Sequence, residues 1–238
     1  MQTGQWPSQK IEIDVCYTAG GTADTVARQL SALMSQQLST TFNLVNVTGG
    51  SGSIAGQQVY AAAHDGYTWL GDVAHTVSGW RTLGYADLGW EDFYGFYAAS
   101  SPYVLFVSGN SPYQTAQQLF DAMRGDPSMK WGNAGLGSIN QLTGSLMLEK
   151  LGLKGNSVPY DGGRSAAIKV VAGEVTWSWC GLSDILDLAQ SGDIRILGIC
   201  DSSPREIDCA KGNYTVPSLL DDYPELSDLQ GLLYWGFR

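Results

Sequence analysis

The chain has 238 residues, with 23 acidic against 13 basic side chains for a formal charge of -10, and is 44% hydrophobic and 15% charged. Basic residues scattered under such an excess of acid argue against nucleic acid as a partner, and no run reaches the roughly 18 apolar residues that a membrane-spanning helix needs. Four cysteines without a C-x-x-C pair and only two histidines, His64 and His75, assemble no zinc set. Neither a metal nor another cofactor is expected.

Met1 to Gln5 has neither a basic start nor an apolar run, so no secretory signal is read there and Met1 reads as an expression start on a mature chain. The first element is a strand in which Ile11, Ile13, Val15 and Tyr17 recur with period two. Thr18-Ala19-Gly20-Gly21-Thr22-Ala23-Asp24 then leads into a helix carrying Val26, Ala27, Leu30, Leu33, Met34 and Leu38 at helical spacing. The change of period falls on the glycines, where a helix N-terminus offers unpartnered N–H groups and the positive end of its dipole to an anion. Asp24 can accept from a ligand ammonium or hydroxyl, or can simply answer that dipole.

A second strand is expected at 42–47, followed by Thr48-Gly49-Gly50-Ser51-Gly52-Ser53 and a helix to Ala63. The loop from Gly50 to Gly56, with Asp72 about 20 residues beyond Gly52, mimics the dinucleotide fingerprint of an NAD(P)-binding oxidoreductase but with G-x-G-x-x-x-G spacing. Further strands are expected at 67–70, 93–98, 103–107, 129–133, 157–160, 176–180 and 194–200, with helices at 115–124, 139–151, 163–172 and 183–190. Alternation of this kind implies a largely parallel α/β architecture. So many strands suit two sheets, giving domain 1 at 1–102 with 218–238 returning to it and domain 2 at 103–217.

Three more glycine loops follow strands: Asn133-Ala134-Gly135-Leu136-Gly137-Ser138, Val158-Pro159-Tyr160-Asp161-Gly162-Gly163-Arg164, and Cys180-Gly181-Leu182-Ser183-Asp184. Ligands of open α/β sheets sit outside the carboxyl ends of strands, so these loops are candidates for surrounding a small polar molecule. Ser138 and Ser183 are also natural helix caps, and Trp177 and Trp179 read as core. His75, just after a strand, can reach the same crevice. Cys200 and Cys209 flank a polar loop, either bridged or as free thiols. Cys16 ends a strand beside a helix N-terminus, yet neither histidine is placed as its base, and no G-x-S-x-G, H-E-x-x-H or P-loop lysine is present. The absence of an assembled acid, base and nucleophile points to binding and not turnover.

Several segments, taken in order, resemble the tripartite tricarboxylate transporter substrate-binding proteins, the Bug family: Trp6-Pro7-Ser8, Ala19-Gly20-Gly21-Thr22-Ala23-Asp24 with Ala27-Arg28, Asp65-Gly66-Tyr67-Thr68, Gly135-Leu136-Gly137-Ser138, Val158-Pro159-Tyr160-Asp161-Gly162-Gly163, Ser191-Gly192-Asp193-Ile194-Arg195 and Tyr234-Trp235-Gly236. The resemblance implies an α/β, periplasmic-binding-protein-like (type II) fold of two α/β domains with a ligand cleft between them. It implies an exported, monomeric solute receptor, free in the periplasm or lipid-anchored at the cell surface, that hands a small carboxylate to membrane permease subunits and is not an enzyme. Carried over residue by residue, the ligand loops are Tyr17, Thr18, Ala19, Gly20, Gly21, Thr22, Ala23 and Asp24, facing Gly135, Gly137 and Ser138 with Tyr160, Asp161 and Gly162; His75 and Asp184 join them on the residue reading above. The ligand is a di- or tricarboxylate, an amino acid or an aromatic acid. Two departures stand out. Cys16-Tyr17-Thr18-Ala19 replaces the proline and longer glycine run of many members, and helices usual in relatives are expected beyond Arg238, so the chain reads as shortened there.

Overall fold

The computed structural model describes residues 6–73, 76–209, 212–230 and 234–237. The chain divides into two compact units, Met1–Ala99 with Tyr234–Arg238, and Ser100–Leu233.

In the first unit β1 (Ile11–Val15) leads to α1 (Thr22–Leu38), β2 (Phe42–Asn46), α2 (Ser53–Ala61), β3 (Thr68–Val73), α3 (Thr76–Leu83) and β4 (Phe96–Ser100). β1 is parallel to both β2 and β3, pairing Ile13 with Leu44 and with Trp69. Ile11, Ile13 and Val15 are wholly buried under α1, whose Ala23, Ala27 and Ser31 make its inner face. The opposite face of β1 carries Asp14 and Cys16, and α2 lies over it: a Cβ on Gly52, the residue before α2, would lie 3.1 Å from the Cys16 Cβ. α3 has no counterpart among the expected helices, since its sequence holds a glycine and three β-branched residues. It forms because Trp80, fully buried, packs against α2 and donates its indole N–H to the Ser51 carbonyl at 2.9 Å.

Gly56 is what lets that indole in, because a Cβ there would stand 2.2 Å from the Trp80 ring. Gly56→Ala is therefore expected to cost about 2 kcal/mol by overpacking, despite the roughly 1 kcal/mol that alanine gains over glycine in a helix. A urea-unfolding midpoint that rises instead would refute this account of the glycine.

The second unit contains β5 (Tyr103–Ser108), α4 (Ala116–Gly125), β6 (Lys130–Asn133), α5 (Ile139–Lys150), β7 (Asn156–Pro159), α6 (Gly163–Val171), β8 (Trp177–Gly181), α7 (Leu186–Ser191), β9 (Ile194–Cys200), a β10–β11 hairpin (Arg205–Ile207, Tyr214–Val216) and α8 (Leu219–Asp222). Its sheet runs β7-β6-β8-β5-β9. β6 is parallel to β7 and β8, but β5 is slotted antiparallel between β8 and β9. Trp177 stacks on Trp131 with ring centroids 5.1 Å apart, and Trp179 on Tyr103 at 5.2 Å, so both alternating tryptophans are core. α5 approaches this aromatic layer through Gly144, where a Cβ would lie 2.8 Å from the Trp131 ring.

The chain returns to the first unit as β12 (Tyr234–Phe237), antiparallel to β3, which completes the order β2-β1-β3-β12-β4. Both sheets are therefore mixed where a largely parallel arrangement was expected. The return was also expected near Pro217. Instead 218–230 stays with the second unit: Leu219, Leu226 and Leu229 are buried there, Gly198 leaves room for the Leu219 side chain, and Lys150 pairs with Asp228 at 2.9 Å. Among the described residues no helix is long and apolar enough to cross a membrane, and no group of three or more His, Cys, Asp or Glu is arranged to hold a metal ion.

Candidate functional site

In the first unit the loop after β1 turns at Gly20, whose φ of +78° suits glycine, and α1 begins at Thr22 with Gly21, which has no side chain to cap it, as its N-cap. Ala19 and Gly20 are exposed, whereas Tyr17, Thr22, Ala23 and Asp24 are buried. Asp24 does not look outward. Its Oδ2 accepts the Gly20 N–H at 2.9 Å and the Arg28 Nε–H at 2.9 Å, and its Oδ1 accepts from Arg28 Nη2 at 2.8 Å and Asn46 Nδ2 at 3.0 Å. Burial pushes the Asp24 pKa up, but the bonds from Arg28, Gly20 and Asn46 outweigh it and hold the carboxyl below its usual range. The acidic group read as a ligand acceptor is thus an internal anion that shapes the loop. Gly21 N–H closes the turn on the Thr18 carbonyl at 3.2 Å, and Asn46 also donates to the Tyr17 carbonyl at 2.9 Å.

In the second unit the loops after β6, β7 and β8 lie at adjacent strand ends, and Asn133 ties two of them together. Its side chain donates to Ser157 Oγ and the Val158 carbonyl and accepts the Gly135 N–H at 3.0 Å, while its carbonyl receives the Tyr160 N–H at 3.0 Å. Ser138, fully buried, caps α5 by accepting the Gln141 N–H, and Gln141 reaches back to take the Gly137 N–H at 2.7 Å. Gln141 on Gly137 repeats the device of Asp24 on Gly20: a first-turn side chain four residues on satisfies the amide of the preceding glycine. The Tyr160 hydroxyl donates to Glu174 at 2.8 Å, and burial together with that carboxylate pushes its pKa up to about 12. Asp184 is buried, its Oδ2 so placed that a Cβ on Gly163 would stand 2.6 Å away, and its carbonyl accepts from Arg164, which is ion-paired with Asp187.

Of the sequence-derived residues, then, Thr18, Ala19, Gly20, Gly135 and Asp161 are at least partly open to solvent at strand ends. Asp24, Ser138 and Asp184 are buried in the loops, and the Tyr160 hydroxyl is engaged at the surface by Glu174. Gly21, Thr22, Ala23 and Gly162 are buried. His75 lies outside the described residues. Sequence reasoning missed Asn46, and placed Asn133 in a candidate loop without seeing that it pins two of them; the signal was an asparagine closing each of two strands, β2 and β6.

The dinucleotide reading does not survive the geometry. Asp72, read as the ribose-binding acid, is buried and accepts the Cys16 thiol at 3.0 Å. Gly52 and Gly56 serve close packing on Cys16 and Trp80. All four cysteines are free thiols; Cys200 points at the Leu226 carbonyl and Cys209 at that of Ala189, each at 3.6 Å, so no disulfide closes the intervening loop. Burial raises the Cys200 pKa to about 12 and pushes Cys180 well up, assisted by nearby carboxylates, which leaves both inert as nucleophiles.

A family model described as "Tripartite tricarboxylate transporter family receptor" matches residues 26–207. A UPF0065 protein of Bordetella bronchiseptica is 28% identical over 232 residues, covering 95% of this chain and 67% of that protein. The chain spans only 50% and 52% of two further curated relatives, from Agrobacterium vitis and a Pseudomonas species. Among solved structures, MatC from Rhodopseudomonas palustris with bound malate superposes with a TM-score of 0.82 at 21% identity, over 98% of this chain and 78% of that one. The periplasmic binding protein BugD does so with a TM-score of 0.82 at 22% identity, over 98% and 76%. Likeness at this identity shows the fold, a periplasmic-binding-protein architecture of two α/β domains; the family model, spanning most of the sequence, shows the kinship. The chain belongs to the tripartite tricarboxylate transporter receptor family.

Proposed function

We propose that this protein is an extracytoplasmic receptor, periplasmic or at the cell surface, that binds a small carboxylate and presents it to membrane permease subunits without transforming it. The observation that carries this reading is the exposed Ala19–Gly20 turn at the carboxyl end of β1, standing directly before the N-terminus of α1, whose N-cap is the glycine Gly21. There the first-turn N–H groups and the helix dipole favour a negative charge. In a chain of net charge -10, local backbone donors and not a basic field must attract the anion. Thr18 to Gly21 in the first unit, with Gly135 and Asp161 in the second, are the proposed ligand contacts. Asp24, Asn46, Asn133 and Gln141 are positioning residues. The malate in MatC supports a dicarboxylate as the first candidate, ahead of amino acids and aromatic acids.

The test is a thermal-shift panel of di- and tricarboxylates, amino acids and aromatic acids. Ligand at about a hundredfold excess over its Kd is expected to stabilise the protein by about 2.7 kcal/mol. Gly21→Leu, which puts a bulky side chain at the buried N-cap of α1, should abolish that response while leaving most secondary structure intact by circular dichroism. Silence across the whole panel overturns the receptor reading; an undiminished shift in Gly21→Leu removes the first loop from the site.

A further inference from the structure

The second unit holds a cavity of about 530 Å³ between the start of β9, the first turn of α4, the β10–β11 hairpin and α8. This volume falls in the range of small-molecule sites. Gly109, just past β5, and Ile194, which opens β9, both line it. β5 runs antiparallel to β8, pairing Val107 with Trp177 and Tyr103 with Gly181, so the cavity lies at the end of the sheet away from the loop after β8. β6 and β7 run with β8, and their loops lie at that far end too. The cavity is thus separate from the proposed carboxylate loops.

Arg195, in β9, stands partly buried in its wall. Of the six arginines among the described residues, Arg28, Arg81, Arg124, Arg164 and Arg205 are each ion-paired with a carboxylate. Arg195 is the exception. Its Nη1 donates to the carbonyls of Ser111 at 3.1 Å and Tyr113 at 3.3 Å, which fixes the guanidinium against the connection from β5 to α4. Its Nε and Nη2 have no partner among the described residues. Those two nitrogens form the edge with which Arg28 clasps Asp24, and an edge of that kind takes a carboxylate through two parallel hydrogen bonds. The first turn of α4 shares the wall, and its dipole adds attraction of the same sign. Among the described lining residues the one carboxylate is Asp222, which is exposed and not paired with Arg195. Beside Arg195 the walls turn apolar, with Ile196, Leu197, Leu219 and Tyr214. A guanidinium fork next to an apolar surface matches a guest with an anionic head and an apolar tail.

We propose that this cavity binds a monocarboxylate with an apolar tail, its head on the Arg195 fork and its tail over Leu197, Leu219 and Tyr214. Calorimetric titration of the whole protein with hexanoate, with hexanamide and with acetate separates the charge from the tail. Because hexanoate is also a candidate for the carboxylate loops, the titration is repeated in Gly21→Leu, where the first of those loops is blocked. Hexanoate is expected to bind saturably in both proteins, about tenfold or more tighter than either hexanamide or acetate. Arg195→Gln is expected to weaken hexanoate at least about tenfold. Asp222→Lys, at an exposed position where the fold should be kept even if Arg195→Gln does not fold, is expected to tighten hexanoate about threefold. Loss of hexanoate binding in Gly21→Leu would assign it to the carboxylate loops and overturn the proposal. Silence to hexanoate, equal binding of hexanoate and hexanamide, tighter binding of the ω-amino derivative of hexanoate, or an unchanged hexanoate affinity in Asp222→Lys would overturn it as well, whatever the carboxylate panel shows.

Discussion

Asp24→Ala is expected to lower stability at pH 7 by about 3 kcal/mol and to blunt the carboxylate response, because one buried carboxylate organises the whole first loop. It accepts from the Gly20 N–H, from Asn46 and twice from Arg28, and all four bonds vanish together. Removing one partner of a buried pair costs about 3–5 kcal/mol; Arg28 is half exposed and regains water, which places this case at the low end. Asp24→Asn keeps an acceptor for Gly20 but loses the charge-assisted fork, so it should fall between wild type and alanine. The pH dependence follows from the lowered folded pKa. Stability contributed by ionised Asp24 is fully present above the unfolded value of 3.8 and is lost as pH falls through the lower folded value. Urea unfolding of wild type and Asp24→Ala should therefore converge only in strong acid. A constant gap down to pH 2 would mean that the carboxylate acts by shape and not by charge.

Asp14→Val is expected to do the opposite and stabilise the protein by about 3 kcal/mol or more at pH 7.5. Asp14 sits in β1, wholly buried, and neither carboxylate oxygen has a hydrogen-bond partner among the described residues. Burial first, and the neighbouring Glu12 charge second, raise its pKa from 3.8 to about 6. The folded state therefore holds the proton more tightly than the unfolded chain. Stability falls as pH rises between about 4 and 6, and the penalty is complete above that window. A shift of about two pH units corresponds to about 3 kcal/mol. Valine suits a buried strand position and carries no polar atom to leave unsatisfied. The gain over wild type should shrink by about 3 kcal/mol between pH 7.5 and pH 4, read from urea midpoints. A pH-independent difference would show that Asp14 finds a partner when ionised.

The same local rule, a short polar side chain beside a helix start, had different outcomes at different positions. At Ser138 the cap was legible, since a serine before a helix needs only the next turn to be satisfied. At Asp24 the dipole was legible but the Arg28 fork and Asn46 were not, because Asn46 comes from a strand 22 residues away. At Asp184 nothing local indicated that the carboxylate would face Gly163. α3 escaped altogether: its propensity is poor, and it exists because the Trp80 indole has a slot made by Gly56.

What the sequence by itself determined is the order of strand, glycine turn and helix, the burial of its alternating apolar residues, and the kinship carried by its ordered motifs. These depend on period and local backbone freedom, which neighbours along the chain set between themselves. The tertiary structure decided the rest: the antiparallel insertion of β5 and β12, the place of residues 218–230 with the second unit, and which loop groups face solvent. Those depend on contacts between distant segments, where a hydrogen bond from Asn46 or Asn133, or the space above a glycine, settles a direction that no neighbouring residue constrains.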